Sequence, residues 1–85
     1  MNGDAPEFVY RARAVARLVQ AWQRVALRHE LRKVQRRGLF VDLLALDLDG
    51  LQRLAGENGI DVQAVMEKGK SDALERMDRM KEVDV

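Results

Sequence analysis

Cysteine and threonine are absent from this chain, and serine, histidine, proline, tyrosine and tryptophan occur once each, as Ser71, His29, Pro6, Tyr10 and Trp22. Without cysteine there is no disulfide and no thiolate metal site. Covalent catalysis needs a nucleophile, a base and an orienting group within hydrogen-bond reach, and so thin an inventory offers little to build one from. Ser71 reads as a helix N-cap or a surface residue, and His29 as a packing or hydrogen-bonding side chain. No glycine-rich phosphate loop is present, because the glycines are scattered at helix ends. Asp42, Asp47 and Asp49 hint at a cation site. However, the glycine of Asp47-Leu48-Asp49-Gly50 is wrongly placed for a calcium loop and no glutamate follows at the twelfth position; capping explains Asp47 instead. No run approaches the ~18 apolar residues of a membrane span, and the acidic start broken by Pro6 does not read as a signal peptide. These absences predict a cytoplasmic, non-catalytic protein without metal or cofactor.

What the chain does hold is charge, and it is unevenly distributed. Of its 85 residues, those up to Arg37 carry nine basic side chains against three acidic ones. From Gly38 onward six basic residues face eleven acidic ones, so a net charge of only +1 hides a basic half and an acidic half. Such asymmetry points to a basic arm with an outside partner, or to two parts of one bundle that attract each other.

The basic half reads as one long amphipathic helix over residues 5–37. Asp4 and Glu7 have capping-box spacing, with Pro6 in the first turn where its missing N–H costs little. Arg36, Arg37 and Gly38 form the stop. As a straight rod it would be about 50 Å long at 1.5 Å per residue, whereas a compact chain of this length has a radius of gyration of about 12 Å. At ~100° per residue, Phe8, Val15, Leu18, Val19, Trp22, Val25 and Ala26 share one face, with Arg13, Arg17, Arg24 and Arg28 opposite. From Leu27 the apolar side moves: Leu27, Leu31 and Val34 point where the arginines had been, and Lys33, Arg36 and Arg37 occupy the earlier apolar face. This change predicts a kink near residues 26–30, or two different neighbours for the two segments.

The acidic half reads as shorter helices. Residues 39–46 (LFVDLLAL) are apolar nearly all round, which predicts a short buried helix. Leu46–Leu51 and Ile60–Val65 then repeat one pattern, an aspartate N-cap with an apolar staple, at Asp47 and Asp61. With Asn58-Gly59 between them, an αα-corner is expected. Gly69-Lys70-Ser71-Asp72 looks like a stop and a new start, yet Val62, Val65, Met66, Gly69, Ala73, Met77, Met80 and Val83 keep one helical phase. One Met-lined helix, with Gly69 as its weakest point, is the better reading. The expected fold is all-α and a single small domain.

Three kinds of partner suit this layout. The apolar row Phe8, Val15, Leu18, Val19, Trp22 and Val25 suits an adaptor or accessory subunit that binds another protein or forms a homo-oligomer. Arg13, Arg17, Arg24 and Arg28, with Lys33, Arg36 and Arg37 as a second patch, suit the phosphates of a nucleic acid. Trp22, the run Arg28-His29-Glu30-Leu31-Arg32 and the steps Leu44-Ala45-Leu46-Asp47 and Gly59-Ile60-Asp61 resemble the YjiS-like small arginine-rich proteins, and that resemblance implies RNA rather than DNA. The αα-corner is a poor DNA reader, because its second helix opens on Asp61 and has no arginine before Gly69. A cationic helix with aromatic residues also suits an anionic membrane surface. The protein-binding adaptor is the leading expectation.

Overall fold

The computed structural model describes the backbone of residues 4–83 and the side chains of residues 11–79. The expected contacts of Phe8, Tyr10, Met80 and Val83, and the Asp4–Glu7 capping pair, lie outside the described side chains. The described fold is all-α: α1 (Asp4–Gln35), one 3-10 turn (Leu43–Ala45), α2 (Leu48–Glu57) and α3 (Val62–Val83).

Helix α1 closes two residues before the expected stop. Its last turn tightens, with the Arg37 N–H donating to the Val34 carbonyl (2.9 Å) and the Gly38 N–H to Gln35 (3.0 Å). Gly38 then takes a φ of 121°, open to glycine because it has no Cβ. The helix is unbroken where its apolar side changes, and the two stripes have two neighbours. Leu27 and Leu31 are fully buried against Leu43 of the 3-10 turn and Leu51 and Ala55 of α2. The earlier stripe turns one edge toward α3, where Ala26 is buried.

The short buried helix expected over 39–46 is not found. Only one 3-10 turn forms, begun by Asp42, whose carboxylate accepts from the Leu44 N–H at 3.1 Å. Leu43 is buried, whereas Phe40 is 93% exposed and Leu44 72% exposed. Four residues precede the turn and two follow it, too few for a helix of their own; Leu43 is buried while Leu39 and Leu46 pack only partly against the core.

The two repeated caps are present. Asp47 accepts from the Gly50 N–H (2.8 Å) and Asp61 from the Ala64 N–H (3.2 Å). Between them Gly59 adopts a φ of 75°, the left-handed turn that ends α2 and redirects the chain. Helix α3 then runs through Gly69 without a break, and Ser71 is exposed in mid-helix rather than at an N-cap. Gly69 is needed for packing: a Cβ there would lie 2.5 Å from the Gln23 Cα and 2.8 Å from its backbone nitrogen. With Ala73 also fully buried, two small residues let α1 and α3 approach backbone to backbone.

Gln23 donates from Nε2 to the Met66 carbonyl at 3.2 Å, Trp22 meets Arg76, and residues 25–32 lie opposite 64–72. Rising numbers on α1 meet falling numbers on α3, so the helices are antiparallel. Both α2 and α3 rest mainly on α1 and touch each other little. The large buried side chains gather at the α2 end, and the described molecule measures 55 × 27 × 20 Å with a radius of gyration of 16.0 Å. That is well above the ~12 Å of a compact chain of this length.

Candidate interaction faces of the first helix

Two faces of α1 carry the residues singled out from the sequence. The first is the apolar row. Its members described here are Val15, Leu18, Val19, Trp22 and Val25, and α3 covers none of them completely. Leu18, Val19 and Trp22 are half-buried, Val15 is 40% exposed and Val25 47% exposed. The cause is angular. Gln23, Ala26 and Val19 point at α3, while Leu18 and Val25 lie roughly 100° round the helix on the side away from α2. From Arg11 to Arg17 every side chain is exposed, the alanines included.

Trp22 sits between these conditions. The Arg76 guanidinium of α3 lies 3.6 Å from its ring centroid, a cation–π contact that covers one face of the indole. Next along the row, a groove of about 380 Å³ lies between α1 and α3, with Val25, Ala26, Ala64 and Val65 as its apolar lining. Its rim bears His29, Glu30, Arg32, Lys68 and Asp72. Three of these charges are already answered, Glu30 by Lys33 at 2.9 Å and Lys68 and Asp72 by each other at 3.4 Å. Apolar floor and mixed rim suit an apolar side chain from a partner better than a strongly charged ligand.

The second face is the arginine row. Arg13 and Arg17 are exposed, and Arg24 and Arg28 are half-buried. None of the four has an ion pair among the described residues, and the Arg28 Nε is occluded with no acceptor. Of the second basic patch, Lys33 is taken up by Glu30, while Arg36 and Arg37 are exposed in the turn after the helix. The structure brings Arg13, Arg17, Arg24 and Arg28 onto one face and leaves Lys33, Arg36 and Arg37 on another. Asp42 and Asp47 spend their carboxylates on backbone N–H groups.

Sequence reading missed the exposure of Phe40 and Leu44, and it missed the groove. The groove is lined by residues of two helices distant in sequence, a pairing that no local pattern encodes. Comparison with family models, with curated proteins and with solved structures finds no match for this chain. None of the described helices is long and apolar enough to cross a membrane.

Proposed function

We propose that this chain is a non-catalytic helical docking subunit, working in the cytoplasm, which binds another protein or a second copy of itself. Its binding face is the outer flank of α1 from Val15 to Val25, continued by the groove over Val25 and Val65. One observation carries this reading: α3 leaves every described member of the row Val15, Leu18, Val19, Trp22 and Val25 partly exposed. An apolar row beside an open groove is the arrangement by which helices recognise one another. Trp22 is the natural anchor of such a face, since tryptophans dominate binding hot spots. A membrane reading has less support, because one face of its aromatic anchor is under Arg76.

Sedimentation of the wild type and of a Val15→Ser, Val25→Ser variant tests the proposal. Both positions are too exposed to hold the fold together, so circular dichroism should be unchanged. Self-association, or capture of an identified protein partner, should weaken at least tenfold in the variant. Association equal to wild type in the folded variant contradicts the proposal.

A further inference from the structure

We propose that the ridge formed by Arg13, Arg17, Arg24 and Arg28 binds the phosphodiester backbone of a nucleic acid without reading its sequence. It lies on a different face from the apolar flank and stands or falls independently of it. Arg13 and Arg17 are one helical turn apart, as are Arg24 and Arg28, and the row spans about 22 Å of a single unbroken helix at 1.5 Å per residue. That length matches about six phosphates of one strand at 3.4 Å each.

Three observations favour this ligand. The four guanidinium groups have no ion pair among the described residues, although the acidic half of the chain lies alongside. Like charges one turn apart repel and weaken a helix; here two such pairs stand unneutralised, and no acid interrupts α1 between Glu7 and Glu30. Arg24 and Arg28 are half-buried, with the Arg28 Nε occluded and without an acceptor. Packing of their stems therefore fixes where the charges project, which lowers the ordering cost on binding.

The ridge favours a phosphate backbone over an acidic protein surface because it has no apolar centre. Between Arg13 and Arg28 this face exposes no large apolar side chain: besides arginine it holds Gln20 and Ala21, and Leu27 at its edge is fully buried against α2. Protein interfaces bury an apolar core, whereas phosphate contacts need none. No described aromatic ring stands on this face to stack on a base, so recognition would be sequence-independent.

The test is fluorescence anisotropy of labelled 20-mers, single-stranded RNA, single-stranded DNA and duplex DNA, titrated between 50 and 200 mM salt. Four neutralised phosphates predict a log–log slope of about −3 for single strands and about −3.6 for duplex, an affinity loss of roughly 60- to 150-fold over that range. The exposed pair, Arg13→Gln with Arg17→Gln, should flatten the slope by about 1.4 to 1.8 with helicity unchanged, while Lys68→Gln should leave it alone. The tightest of the three probes identifies the strand type. No binding at 50 mM salt, a slope unaltered in the double variant, or equal binding of polyglutamate of matched charge would each overturn the proposal, the last by assigning the ridge to acidic proteins.

Discussion

Gly69 shows how one residue can carry opposite meanings. By propensity alone, glycine in a helix interior is destabilising by about 1 kcal/mol relative to alanine, so replacing it should help. At Gly69 the added methyl would fall 2.5 Å from a backbone atom of Gln23, and backbone cannot swing aside as a side chain does. Overpacking of this kind costs about 1–3 kcal/mol and wins over propensity. Gly69→Ala should therefore lower the denaturation midpoint. Gly56 is the control, because a Cβ there meets only the Val62 Cγ2 at 3.9 Å. Gly56→Ala should be neutral or stabilise by up to about 1 kcal/mol. If both variants shift stability the same way, the close approach of α1 and α3 is wrong. Asp61 gives a second test: Asp61→Ala removes the acceptor for the Ala64 N–H and should cost about 1 kcal/mol, read from the same denaturation curves.

Among the elements, α1 serves two neighbours and the consequences differ along its length. At its C-terminal end Leu27 and Leu31 are fully enclosed, so Leu31→Ala should cost about 2–5 kcal/mol and leave little folded protein. Toward the N-terminus contact is with α3 alone and is looser. There Arg76→Gln should cost only about 0.5–1 kcal/mol, the worth of an exposed cation–π contact. Trp22 is the sole tryptophan, so its emission reports directly on that pairing. Unshifted emission in Arg76→Gln would mean that the guanidinium does not cover the ring. The local punctuation of these elements was legible in the sequence: Asp47 and Asp61 as caps, Asn58-Gly59 as the corner between them, and the apolar phase that runs through Gly69. The shift of stripe at Leu27 was legible too, as a choice between a kink and two neighbours. What escaped was long-range. Residues 39–46 look buried because their pattern is apolar all round, yet whether Phe40 finds a cavity depends on where α2 settles. The pairing of Gln23 with Gly69, and hence the groove, depends on two helices more than forty positions apart.

For the molecule as a whole, the central feature is an elongated hairpin with its core at one end. Large side chains fill the α2 end, while the stretch from Arg11 to Arg17 has no buried side chain. A 55 Å particle of 9.7 kDa therefore exposes two long faces of opposite character, an apolar flank and an arginine ridge. The central claim is that the apolar flank is where a protein docks. It is tested most directly by placing a photo-crosslinking amino acid at Val25, on the flank, and separately at Gln20, on the opposite side of α1, in cells that make the protein. The account predicts a discrete protein adduct, of this chain with itself or with one partner, from position 25 and none from position 20. Equal adducts from both positions, or none from position 25, would contradict it.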